Sequence, residues 1–204
     1  MDYGWFFDGP SQADALIFYP GAKVEETAYA PLLHLLAEQG MDVCLVRMPF
    51  RMAVFGIGKA DQVMRQHDYP HWYIGGHSLG GAMASSYAAD HSTEFSGVFL
   101  FAAYPAKPFP ENIRARIIYG SEDRVINRAK LTEAIRQLPD GSDVYVLEGG
   151  NHAQFGNYGK QSGDGDAAIS SREQQQKTVE WILMNRQTSS VRTGSEPASV
   201  DEMK

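Results

Sequence analysis

A chain of 204 residues, 43% apolar and 21% charged, suffices for one sizeable core and is short for two independent domains. Ten Phe and ten Tyr supply packing that a disordered chain lacks. Eighteen basic residues against 25 acidic, a formal charge of −7, argue against a nucleic-acid partner, because no cationic face is available to neutralise phosphates.

The segment from Met1 to Asp8 is acidic where a secretory signal is basic, and no apolar run approaches the ~18 residues of a membrane span. A cytoplasmic location without a membrane span is the expectation. Cys44 is the single cysteine, so neither an internal disulfide nor a cysteine-ligated zinc site is expected.

In chain order, apolar runs of strand length alternate with helix-period segments, the pattern of a mostly parallel central sheet with helices on both faces. Strands are predicted over Ala15 to Tyr19, Val43 to Arg47, Trp72 to Ile74, Gly97 to Ala102, Ile113 to Tyr119 and Val144 to Leu147. The first helix carries Tyr29, Leu32, Leu33, Leu36 and Ala37 on one face, with Pro31 in its first turn and Gly40 closing it. A small-residue helix is expected over Ala82 to Ala89. Leu131, Ala134, Ile135 and Leu138 mark the next, stopped by Pro139. The last opens on a capping box, Ser170 to Glu173, ahead of Trp181 and Ile182. Residues 1–186 read as one α/β domain, and 187–204, without periodicity, as a flexible tail.

The segment Gly76-His77-Ser78-Leu79-Gly80-Gly81 falls between a strand and a helix. A serine on a tight strand-to-helix turn takes strained backbone angles, and glycines on either side remove the collisions that side chains there would cause. The turn aims the hydroxyl outward at a helix amino end, where the Leu79 amide favours a developing negative charge. Ser78 is therefore the candidate nucleophile, and His77 is expected to pack rather than titrate.

A serine needs a base, and the base needs a group that fixes its tautomer. Gly120-Ser121-Glu122-Asp123 follows one strand and Gly149-Gly150-Asn151-His152 the next, in the order acid then histidine after the serine. His152 is the candidate base and Asp123 the orienting acid, with Glu122 the alternative. The turn Tyr19-Pro20-Gly21-Ala22-Lys23 offers the second oxyanion amide, from Ala22 or else Lys23. His34 and His91 read as surface residues, and His67 and His71 as flanking a turn.

These segments resemble the α/β-hydrolase superfamily, and within it a small group with a Tyr-Pro-Gly-x-Lys turn, a Gly-His-Ser-x-Gly-Gly elbow and an Asn-His-Ala-Gln-Phe-Gly segment. The resemblance runs from about Ala13 to Met184 and implies a triad of Ser78, Asp123 and His152 acting on esters or related acyl groups, without a cofactor. Relatives of this type often carry an amino-terminal membrane anchor, and none is expected from the residues of this sequence. Superfamily members often insert a helical lid, whereas only Tyr104 to Glu111 separates two strands here. No cap domain is expected, and an uncapped site suits small esters. Met48, Phe50, Tyr104 and Phe155 are candidate substrate contacts. Arg51 reads as a surface ion pair. Asp164-x-Asp166 resembles part of a calcium loop but lacks the remaining ligands, so a turn, not a metal site, is expected.

Overall fold

The computed structural model describes residues 1–10 and 12–186, and the predicted tail lies outside the described residues. Strands β1 (Gly4–Phe7), β2 (Asp14–Tyr19), β3 (Asp42–Val46), β4 (His71–His77), β5 (Gly97–Phe101), β6 (Ala115–Gly120) and β7 (Asp143–Leu147) form one sheet in the order β1-β3-β2-β4-β5-β6-β7. Every neighbouring pair is parallel except β1 with β3. Helices α1 (Ala30–Glu38), α2 (Lys59–Met64), α3 (Leu79–Asp90) and α4 (Arg128–Arg136) lie in the β2–β3, β3–β4, β4–β5 and β6–β7 crossovers, and α5 (Ser171–Arg186) follows β7. Among the described residues no helix is long and apolar enough to cross a membrane.

Strand alternation sorts the core into two layers. Ile17, Tyr19, Cys44, Val46 and Ile74 pack with Val63, Ala84, Tyr87 and Leu131 from α2, α3 and α4. Leu16, Phe18, Val43, Leu45 and Phe99 face Leu32, Leu33 and Leu36 of α1 and Val179 and Ile182 of α5. Burial pushes the Cys44 thiol up to about 12, so it is an inert core residue.

Several boundaries differ from expectation. The third helix begins at Leu79 rather than Ala82, directly on the turn. Strand β6 starts at Ala115, because the Ile113 amide closes a turn onto the Pro110 carbonyl at 3.3 Å. Only half of the predicted capping box forms: the Ser170 hydroxyl accepts from the Glu173 amide at 3.2 Å, while the Glu173 carboxylate pairs with Lys177 at 2.8 Å. Strand β1 and helix α2 were not legible. The first is four residues whose pairing with β3 supplies its hydrogen bonds, and the second is six residues with no side-chain cap.

Parallel strands point their carboxyl ends at one edge of the sheet. The register Tyr19↔Gly76, His77↔Phe101, Phe101↔Ile118 and Gly120↔Leu147 sets the ends of β2, β4, β5, β6 and β7 side by side. From β2 the chain moves outward to β3 and then returns to add β4 on the other side, so the β2/β4 boundary is a topological switch point, where such sheets open a crevice. Between β5 and β6, residues 102–114 hold no helix or strand, and no helical cap is inserted there.

Candidate active site

Ser78 stands between β4 and α3 at φ 54°, ψ −125°, a conformation costing a non-glycine residue about 1–3 kcal/mol. Its amide donates to the Phe101 carbonyl at 2.9 Å and its carbonyl accepts from Ala82 at 3.1 Å, so both neighbouring elements hold the turn. A Cβ at Gly76 would lie 2.3 Å from the Tyr19 carbonyl oxygen, and one at Gly80 would lie 2.3 Å from the carbonyls of both Tyr19 and Pro20. Backbone cannot yield to a methyl at that distance. Gly80→Ala is therefore expected to destabilise the fold by at least about 2 kcal/mol in urea unfolding, and a change within experimental error would contradict the reading of the turn.

Asp123 and His152, from the loops after β6 and β7, contact each other. Asp123 Oδ2 lies 2.9 Å from His152 Nδ1, and Asp123 Oδ1 accepts from the amides of Val125 at 2.8 Å and Ile126 at 2.9 Å. Both side chains are essentially excluded from solvent, at 0% and 2% exposure. With the carboxylate on Nδ1, the Nε2 atom of His152 is buried and has no hydrogen-bond partner among the described residues. The Glu122 carboxylate instead accepts from the Ser121 hydroxyl at 3.2 Å.

Three neighbours brace the His152 loop that motif reasoning did not identify. The Asp164 carboxylate accepts from the amides of His152 at 3.3 Å, Ala153 at 2.9 Å and Arg124 at 3.4 Å, tying the acid loop to the histidine loop. Asp164 thus bridges loops, where a turn alone was expected of the Asp-x-Asp pair, while Asp166 pairs with Lys160 on the surface at 3.0 Å. Gln174 of α5, fully buried, exchanges two hydrogen bonds with the Asn151 backbone at 3.0 and 2.8 Å. A glutamine at an inward position of an apolar stripe was the available signal. Tyr29, assigned in the sequence to the apolar face of the first helix, is the third, through His77.

His77 is 1% exposed, with Nδ1 2.8 Å from the Tyr29 hydroxyl and Nε2 3.0 Å from the His152 carbonyl oxygen. Its ring lies 4.6 Å from that of His152. Burial, reinforced by the neighbouring His152, holds its pKa well below the ordinary histidine value. The unfolded chain takes up a proton near pH ~6.5 that the folded imidazole refuses. Stability is therefore complete above that pH and falls below it, by up to about 1.4 kcal/mol per pH unit for this one group. Urea unfolding between about pH 5 and 7 is expected to lose one proton of acid-side slope in His77→Gln, and an unchanged slope would refute the assignment.

The oxyanion candidates separate by their partners. The Lys23 amide donates to the Arg51 carbonyl at 2.8 Å, whereas Leu79 opens α3 and has no preceding helical turn to donate to. Ala22, half-buried, lies in the loop that follows β2. Of the predicted substrate contacts, Tyr104 lines a cavity of about 420 Å³ together with Ala82, Phe109 and Leu138. Phe155 is fully buried and stacks on Phe101 with centroids 5.8 Å apart. Met48 is core, at 4% exposure, while Phe50 projects into solvent at 86% beside Phe55. Arg51 pairs with Glu25. The other histidines have local partners: His34 with Glu38, His71 with Asp14, His67 with Tyr3 and His91 stacked on Tyr87.

Fold and site together define the class, an α/β hydrolase. The chain belongs to the alpha/beta hydrolase family, whose model matches residues 15–176. No curated protein matches it. Among solved structures, Est1E of Butyrivibrio proteoclasticus with ferulic acid bound is similar at 11% identity and a TM-score of 0.65, over 89% of this chain and 94% of that one. Dienelactone hydrolase from Anabaena variabilis is similar at 14% identity and 0.65, over 88% and 89%. A predicted CIB-like hydrolase from Thermoplasma acidophilum is similar at 14% and 0.62, over 85% and 87%. At these identities the likeness is one of fold.

Proposed function

We propose that the chain is a serine hydrolase that cleaves small carboxylic esters through an acyl-enzyme. The observation that carries this reading is the buried, unpartnered Nε2 of His152, with Nδ1 held by Asp123, in a chain whose Ser78 occupies a strained strand-to-helix turn. A buried polar atom without a partner is costly and calls for an explanation such as a catalytic role, and catalytic hydrogen bonds often form only once substrate is bound.

In this mechanism Ser78 Oγ attacks the ester carbonyl as its proton passes to His152 Nε2. The carbonyl oxygen takes up the electron pair and is held by the amides of Leu79 and Ala22. The intermediate collapses, the bond to the alcohol breaks, and the proton on His152 goes to the departing oxygen. Water then repeats the sequence on the acyl-enzyme, with His152 removing its proton, the acid released and Ser78 restored. Asp123 keeps the proton of the resting imidazole on Nδ1 and stabilises the imidazolium.

Two features of the surroundings support small esters as the substrate class. Residues 102–114 form no cap, and the cavity lined by Tyr104 includes Ala82, whose amide donates to the Ser78 carbonyl, but none of Ser78, Asp123 and His152 themselves. Its volume, about 420 Å³, lies at the lower end of ligand pockets, and we assign Tyr104 to the wall that meets the acyl group. On p-nitrophenyl esters, acetate and butyrate are expected to be cleaved faster than dodecanoate, and activity rising with chain length would overturn the assignment. Preferred cleavage of a thioester or lactone would change the substrate class while retaining the three residues.

A further inference from the structure

Behind the candidate site, a run of hydrogen bonds can be oriented from valence alone. His77 Nε2 faces the His152 carbonyl oxygen at 3.0 Å, and a carbonyl only accepts, so Nε2 carries the ring proton. A neutral imidazole has only one such proton. Nδ1 is therefore bare and accepts from the Tyr29 hydroxyl at 2.8 Å. With that proton engaged, the Tyr29 oxygen accepts from the Gly21 amide at 3.1 Å. Tyr29 and His77 are 0% and 1% exposed, and water does not compete.

This run ends at the loop after β2. The Gly21 carbonyl accepts from the Val24 amide at 3.3 Å. In a trans peptide the N–H of the next residue points the opposite way, so that bond fixes the direction of the Ala22 N–H. On the far side the Lys23 amide is tied to Arg51. Ala22 thus presents its amide from a loop whose flanking amides are both held. A Cβ at Gly21 would lie 2.7 Å from the Tyr29 oxygen and 2.9 Å from His77 Nδ1, so only glycine admits the tyrosine.

We propose that Tyr29 and His77 are positioning residues that couple the oxyanion loop to the base loop, through a one-way chain of hydrogen bonds from the Gly21 amide to the His152 carbonyl. This rests on the hydrolase reading above. The physical basis is that an oxyanion donor and a base contribute fully only when both are held at the reacting geometry before the charge develops. Neither residue reaches the substrate, and both act through groups that do.

Tyr29→Phe deletes one oxygen and keeps the ring packing on Phe18, whose centroid is 5.2 Å away. The expected result is a fall in kcat of about ten- to a hundredfold with KM within about twofold, and a matching fall in affinity for a trifluoromethyl ketone that mimics the tetrahedral intermediate. A packing role alone lowers the active fraction, titrated with a fluorophosphonate, without separating kcat from KM. His77→Gln keeps a donor for the His152 carbonyl and is expected to retain most activity, unlike His77→Leu. The double variant Tyr29→Phe, His77→Leu is expected to lose little more than the worse single variant.

Nitrogen-15 NMR of histidine-labelled protein reads the same chain without turnover. It is expected to show His77 neutral with its proton on Nε2, and altered in Tyr29→Phe. A proton on Nδ1, or a Tyr29→Phe variant with wild-type kcat in a protein that is labelled and hydrolyses esters, overturns this inference alone. A wild-type protein that neither labels nor hydrolyses overturns the hydrolase reading and this one with it.

Discussion

Ser78→Ala is expected to abolish labelling by a fluorophosphonate and to lower ester turnover by about 10³-fold or more. The size follows from what the hydroxyl supplies. Without it no acyl-enzyme forms, and the residual reaction rests on the oxyanion amides and on substrate positioning, which by themselves leave a rate well above that of water. The turn itself should survive, because its angles are held by the Phe101 and Ala82 hydrogen bonds and by the two close glycines, not by the serine side chain. The variant should therefore retain wild-type unfolding behaviour. Labelling that persists in Ser78→Ala would locate the nucleophile elsewhere and remove the basis of the mechanism.

The second large effect is expected at Asp123, with its neighbour as the control. In Asp123→Asn the side-chain oxygen remains with the two backbone donors, Val125 and Ile126, and the amide NH₂ turns to His152 Nδ1. Nδ1 must then accept, the ring proton moves to Nε2, and the imidazole presents a proton where it needs a lone pair. A wrong tautomer of this kind costs about 10⁴-fold in turnover. Glu122→Gln changes a carboxylate that contacts Ser121 rather than the histidine, and turnover is expected to stay within about threefold. Equal losses in the two variants would mean that the loop presents either side chain and that the Asp123 contact is not the working one.

Much of the site was legible along the chain because its parts are local. The Gly-x-Ser-x-Gly spacing answers to steric demands within a single turn, and the glycines at 76 and 80 sit against backbone carbonyls at distances no side chain tolerates. The order of acid and histidine could be read because both follow strands of a parallel sheet, which necessarily deliver their loops to one edge. That the Lys23 amide is engaged could not be read, because its partner, the Arg51 carbonyl, lies 28 residues further along. The candidate contacts also diverged for a local reason: Phe50 adopts a left-handed φ of 53° and projects outward, while Met48, two residues earlier, turns into the core.

By itself the amino-acid sequence determined the strand and helix periods, the strained turn at Ser78 and the order in which Asp123 and His152 follow the serine. These are consequences of side-chain size, branching and backbone freedom over a few residues. Only the tertiary structure decided that Asp123 rather than Glu122 holds His152, that Nε2 is left buried and unpartnered, and that Tyr29 and His77 join the loops after β2 and β7. Hydrogen bonds between segments up to 75 residues apart have lengths and directions set by how the sheet twists and stacks its neighbours, and no local propensity encodes them.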